Sequence, residues 1–211
     1  MNAMPKPAVF PTLLALAVLT AAAAACAPES DSAASAGDAQ PGQPASEMQA
    51  APANAATAPE LDDADIAAIV VAANTIDIRY GEIARERATN PRVKEFAETM
   101  IRDHTAVNES AVELVTRLGV KPRENDVSRS LEAQAAEMRE MLQAKSGAEF
   151  DRAYIDNEVA YHRAVLQAID ETLIPNAKNA ELKQMLVDVR PAVQAHLEHA
   201  QSIQRSLTAG A

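Results

Sequence analysis

Between Val93 and Leu118, apolar side chains recur three and four residues apart: Val93, Phe96 and Ala97, Met100, Val107, Ala111, Leu114, Leu118. This spacing is the buried stripe of an α-helix and excludes a strand, whose faces alternate every second residue. His104 stands in the middle of the stripe, directly after Asp103. The helix must lie against other elements, and the imidazole on its inward face must find a polar partner there.

The same period marks the rest of the chain. Ile66, Ile69 and Val70, Ala73, Ile76 and Asp77, Tyr80, Ile83 and Ala84 form a first stripe. Asp62 and Asp63 are placed to open it, and Asn90-Pro91 breaks it. Gly119 and Pro122 end the second helix, and a shorter one follows near 128–145. Ser146-x-x-Glu149 has the form of a capping box. It opens a helix with Tyr154 and Ile155, Glu158, His162, Leu166, Ile169 and Leu173 on one face, expected to stop at Pro175. A last stripe near 179–206 carries Leu182, Leu186, Val189, Val193, His196, Ala200 and Ile203.

Aromatic residues are only 3% of the chain, there is no Trp, and Ala is abundant. Small residues of this kind let helices approach closely and do not build a sheet core. Four long helices and one shorter one predict an all-α domain over 61–207, a ferritin-like four-helix bundle. The shorter helix would cross over and make the second and fourth long helices parallel. A plain five-helix bundle is the alternative.

Two segments precede that domain. Residues 1–25 read as a signal peptide, with Lys6 in a short n-region and an apolar run over 13–25 too short to span a bilayer. Ala23-Ala24-Ala25-Cys26 resembles a lipoprotein cleavage site, and Cys26 is the only cysteine. Lipidation at Cys26 would anchor the protein to a membrane, and Ala27 after it favours the outer membrane, facing the periplasm. Residues 26–60, rich in Ala, Pro, Ser and acids, read as a disordered tether. The formal net charge is -11. That excludes nucleic acid as a partner, because phosphate backbones demand Lys/Arg patches. A protein partner is left open. No phosphate loop, Cys-x-x-Cys pair or nucleophile elbow is present, so no catalytic residue is assigned.

The histidines supply the one chemical signal. His104, His162 and His196 lie on apolar stripes of three different helices. Asp77 lies as far before the Asn90-Pro91 turn as His104 lies after it, so the two should be level. His196 counts about five residues out of level, roughly 8 Å at the helical rise. Imidazole with carboxylate suits Zn, Fe or Mn, so His104, His162, His196 and Asp77 are candidate ligands of a single divalent transition metal. Asp103, Asp151, Tyr154 and Glu158 are expected in a core polar network around them. A di-iron centre of the Glu-x-x-His kind is excluded, because Ile101, Val159 and Val193 stand three residues before the histidines. A purely structural Asp-His hydrogen-bond network is the competing reading, and it goes with a role in envelope maintenance or stress. The metal reading goes with metal binding or oxidant handling in the periplasm.

Asp77-x3-Gly81-x2-Ala84, Asn90-Pro91-x-Val93-x2-Phe96-Ala97-x2-Met100-x2-Asp103-His104, Phe150-Asp151-x2-Tyr154-x7-His162 and Arg190-Pro191-x4-His196 together resemble the bacterial domain-of-unknown-function family 4142. The resemblance covers roughly 65–207. It implies a ferritin-like bundle in exported, often lipidated proteins of the outer membrane, and it implies no established activity. Members usually carry Glu at the position of Asp77, whose shorter side chain reaches less far.

The anchor is testable. Cys26→Ser is expected to release the protein from membranes or leave it unprocessed. A variant that still fractionates with the outer membrane as wild type does would rule out lipidation at Cys26.

Overall fold

The structure, a computed structural model, describes residues 60–209. The signal peptide, Cys26 and nearly all of the tether lie outside the described residues. Five main helices account for almost everything within them: α1 (Asp63–Arg87), α2 (Pro91–Arg117), α3 (Asp126–Gln143), α4 (Gly147–Ala168) and α6 (Ala180–Ala209). α4 runs on through a π-helical turn, Ile169–Leu173, into a single turn, α5 (Ile174–Asn176). No strand occurs among the described residues, and none of their helices is long and apolar enough to cross a membrane.

Local chemistry fixes the ends. Asp62 caps α1 by accepting from the Ala64 and Asp65 amides, while Asp65 reaches back to the Asp62 amide. Asn90 caps α2 through the Arg92 amide, with Pro91 in the first turn, where its missing N–H costs nothing. Gly119, at φ 67°, turns the chain out of α2 in the left-handed region that glycine tolerates best. Asn125 caps α3, and Asn179 accepts from the Glu181 and Leu182 amides at the start of α6. The expected capping box at α4 does not form. Ser146 makes no side-chain cap bond, and the Glu149 carboxylate pairs with Lys145 rather than reaching back to the cap.

Contacts between helices set the topology. Arg123 binds Asp62 and Asp65, which brings the start of α3 to the start of α1. Further along, Arg79 pairs with Glu132, and Arg87 donates to the carbonyls of Gln143 and Lys145. α3 therefore runs beside α1 in the same direction. Asp63 accepts from the Lys178 and Asn179 amides and ties the start of α6 to the same end. At the other end Asp151, near the start of α4, accepts from the Thr89 amide and hydroxyl and the Asn90 amide. So α1, α3 and α6 point one way, and α2 and α4 point the other. This is the four-helix bundle with α3 as the crossover.

The α1–α2 pair is the tightest. Gly81, Ala84 and Ala97 are buried between the two helices. A Cβ on Gly81 would sit 2.9 Å from Ile101 Cγ1 and 3.0 Å from the Ala97 carbonyl oxygen. Glycine here is a matter of space, since the position is ordinary helix. Two features of the other pair interrupt regular helix. Pro191 lies inside α6 and removes one backbone hydrogen bond. The π turn of α4 lies near it, joined by a two-pronged Arg190–Asp170 ion pair at 2.7 Å.

Gly81→Ala gains about 1 kcal/mol of helix propensity but must push Ile101 and the α2 backbone aside, at about 1–3 kcal/mol. The expected net result is a loss of roughly 1 kcal/mol in chemical denaturation, relieved when Ile101 is also cut to Ala. A stabilised Gly81→Ala single variant would show that the α1–α2 contact is slacker than described.

Candidate metal centre

Four helices deliver polar side chains to one level of the core. Asn74 and Asp77 come from α1, His104 from α2, Glu158 and His162 from α4, and His196 from α6. All six are buried, and Asp77 and Glu158 have no exposed surface at all. The three imidazole rings form a near-equilateral triangle with centroids 5.3, 5.5 and 5.7 Å apart.

Each ring has an outer and an inner nitrogen. His104 Nδ1 bonds to the Asn74 side-chain oxygen at 2.7 Å. His162 Nδ1 bonds to the Glu158 main-chain carbonyl at 3.0 Å, one turn back on α4. His196 Nε2 bonds to Asp103 Oδ2 at 3.0 Å. Every acceptor here is an oxygen, so in each ring this outer nitrogen carries the proton. The inner nitrogens, His104 Nε2, His162 Nε2 and His196 Nδ1, are buried and make no hydrogen bond. Asp77 Oδ2 lies 2.8 Å from His104 Nε2 and 3.5 Å from His162 Nε2, yet neither oxygen of Asp77 is hydrogen-bonded. At 2.8 Å the pair is close enough for a hydrogen bond, so it is alignment that fails. The nitrogens and the carboxylate crowd together without bonding to one another.

Further buried oxygens flank this group. Both carboxyl oxygens of Glu158 and the Tyr154 hydroxyl lack partners. Donor atoms of Asp77, Glu158 and His162 lie within 4.8 Å of one another, and so do those of His104, His162 and His196. The electrostatics follow from this crowding. Burial raises Asp77, but the imidazoles of His104 and His162 outweigh it and hold the carboxyl down to about 2. Burial pushes Glu158 well up, and the adjacent Asp77 charge pushes it further. Burial lowers His162 to about 4 against the pull of Asp77, and it lowers His196 as well. His104 is raised, because Asp77 more than offsets its burial.

The structure distributes the residues nominated from sequence as follows. Asp77, His104, His162 and His196 come together, with Glu158 beside them. Asp103 stands at the rim, bonded to both His196 and Arg102. Tyr154 is buried two turns before His162 on α4. Asp151 is buried but lies outside this group, about 16 Å along α4 from His162 at the helical rise. There its carboxylate takes up amides at the α1–α2 turn. His199 is exposed and packs edge-on against Phe96. The 8 Å offset expected for His196 is absent. α4 continues through the π turn to Asn176, so fifteen residues separate His162 from the Ala177 cap and sixteen separate Ala180 from His196. Asp77 also reaches farther than its length suggests, because Gly81, one turn on, lets α1 and α2 close together. Asn74 was not nominated from sequence, although its place three residues before Asp77 on the same face is a readable signal.

Fold and site together define an all-helical bundle with a buried centre of three imidazoles and a carboxylate. The chain belongs to the family described as Domain of unknown function (DUF4142), whose family model matches residues 47–203. No curated protein matches the sequence. Among solved structures, CopM in its Cu(II)-bound form is similar at 16% identity and a TM-score of 0.54, covering 69% of this chain and 98% of that one. A DUF305 protein from Streptomyces coelicolor, described as secreted, is similar at 10% identity and a TM-score of 0.59, covering 69% and 94%. At these identities the likeness concerns the fold.

The shifts predict how the metal-free protein responds to pH. His162 binds its proton less readily folded than unfolded. Its contribution to stability is whole above its ordinary value of 6.5 and is lost as pH falls through about 4. Asp77 adds a loss lower down, as pH falls from 3.8 through about 2. His104 acts oppositely, contributing below 6.5 and losing that contribution as pH rises through its raised folded value. The expected melting temperature therefore drops between pH 6.5 and 4. His162→Gln should flatten that drop by up to about 3 kcal/mol. An equally steep decline in the variant would contradict this assignment.

Proposed function

We propose that this protein is an exported metal-binding protein that holds one transition-metal ion on His104 Nε2, His162 Nε2, His196 Nδ1 and Asp77. One observation carries the reading. Three buried imidazoles each commit one nitrogen to an outer acceptor and leave the other without a hydrogen bond, and two of those free nitrogens, on His104 and His162, lie 2.8 and 3.5 Å from one carboxylate, Asp77. Outer-shell hydrogen bonds of this kind fix the tautomer and aim of metal-binding histidines. A hydrogen-bond network built for packing would satisfy its members, since a buried polar atom left unmade costs about 1–3 kcal/mol.

The donor set is three neutral nitrogens and one oxygen, which suits Zn(II), Fe(II) or Cu(II) better than Mg(II) or Ca(II). The Cu(II)-bound form of CopM, similar in fold, adds support for a transition metal. Such an ion, when bound, supplies Lewis acidity and, for Fe or Cu, exchange of one electron. The chain's own residues do the rest. Asn74, the Glu158 carbonyl and Asp103 orient the three rings. Burial keeps bulk water out, since Asp77 and Glu158 have no exposed surface and His162 is nearly enclosed. The ionised Asp77 sets one negative charge against the cation. Lipidation at Cys26, a tether over 26–60 and a place on the periplasmic side of the outer membrane complete the proposal.

The structural reading and the metal reading part on melting temperatures. Zn(II), Fe(II) or Cu(II) is expected to raise the transition of chelator-treated protein by mass action, with about one ion bound per chain. His104→Ala, His162→Ala and His196→Ala should each abolish the rise. Equal transitions with chelator and with every one of these ions would leave the buried cluster a structural network only.

A further inference from the structure

We propose that the cation enters the centre along the seam between α2 and α6, with Asp103 as its first landing point and Arg102 opposing it. This rests on the reading of His104, His162, His196 and Asp77 as metal ligands.

The walls of the centre differ from one another. On the α1 and α4 side Asp77 and Glu158 are fully enclosed and His162 is 1% exposed, and α3 lies against both of those helices. Between α1 and α2 the helices are in direct contact at Gly81, and Thr75 and Asn108 are joined by a hydrogen bond at 3.1 Å. The α2–α6 seam is the thin wall. His196 is 8% exposed, and the Asp103 side chain that holds it is 35% exposed. From solvent, a cation meets Asp103 first, the His196 ring 3.0 Å behind it, and then the His104 ring. No other carboxylate both reaches solvent and bonds to a member of the centre among the described residues.

α6, which forms one side of this seam, also has a backbone that can yield. Pro191 removes a helical hydrogen bond from α6 five residues before His196, at the level where α4 has its π turn. The side-chain bond that holds His196 to α2 is the one to Asp103. Displacing that bond with a cation frees the ring to turn and carry the ion inward. Arg102 Nε is bonded at 2.8 Å to the other oxygen of Asp103 and is itself 68% exposed, so its charge opposes the approach of any cation.

Stopped-flow mixing of the full chain with Co(II), whose visible bands report nitrogen ligation, tests the route at several ionic strengths. Asp103→Asn keeps an acceptor for His196 but loses the charge. It should slow association about ten-fold at low salt and flatten its salt dependence. Arg102→Gln, which touches none of the ligands, should speed association about three-fold and leave dissociation unchanged. If Asp103 only orients His196, Asp103→Asn will raise the dissociation rate and leave association and its salt dependence alone, and the route is overturned. Unaltered association in both variants overturns it equally. If Co(II) produces no ligand-field bands with wild-type protein, the ligand assignment itself falls, and the route falls with it.

Discussion

A carboxylate with no solvent exposure, 2.8 Å from one imidazole and 3.5 Å from a second, is the constraint around which the bundle is arranged. Asp77 is ionised where burial alone would keep it neutral. An isolated charge in such a place costs several kcal/mol, and it is tolerated only when compensated. The nearest nitrogens come from His104 on α2 and His162 on α4, so Asp77 has polar neighbours only when both helices dock against α1. The centre thus ties register and topology together. A slip of one turn in α2 or α4 would move a histidine by about 5.4 Å and take its ring nitrogen away from Asp77.

The rest of the architecture supplies the tolerances this demands. Gly81 brings α1 against α2, so a side chain as short as aspartate reaches the imidazoles of the next helix. Asp151 locks the α1–α2 turn to the start of α4, and Asp63 locks the start of α6 to that of α1. These two ties sit at opposite ends of the bundle and fix the level at which His162 and His196 arrive. The outer hydrogen bonds then fix how the rings turn. One ring is held by an amide oxygen, one by a main-chain carbonyl and one by a carboxylate, so the three imidazoles differ in basicity as well as in exposure.

Much of this could be read from the sequence, because it follows from helical period. The stripes locate each long helix, and Asn90-Pro91 and Gly119 mark ends where the structure has them. The level of Asp77 with His104 follows from counting outward from a tight turn. Counting along the sequence misplaces His196 because it ends α4 at Pro175. The π turn before it widens the backbone, which relieves the clash of a proline ring with the preceding turn, and the helix goes on to Asn176. Asp151 stands out only through the Phe150-Asp151-x2-Tyr154 motif, which is silent on its partners, the Thr89 and Asn90 amides some sixty residues away in sequence. The orientation of each imidazole was not readable at all. Whether a buried histidine is satisfied or left open depends on where a second-layer acceptor falls, and periodicity says nothing about that.

The central claim is that three imidazoles and Asp77 share one ion, and X-ray absorption at the metal edge of Zn(II)-loaded protein tests it most directly. The account predicts a first shell of about three nitrogens and one oxygen at roughly 2.0–2.2 Å, with the outer-shell scattering of imidazole rings. A shell of oxygens alone, or one with a single imidazole, would place the ion elsewhere on this acidic protein and contradict the account.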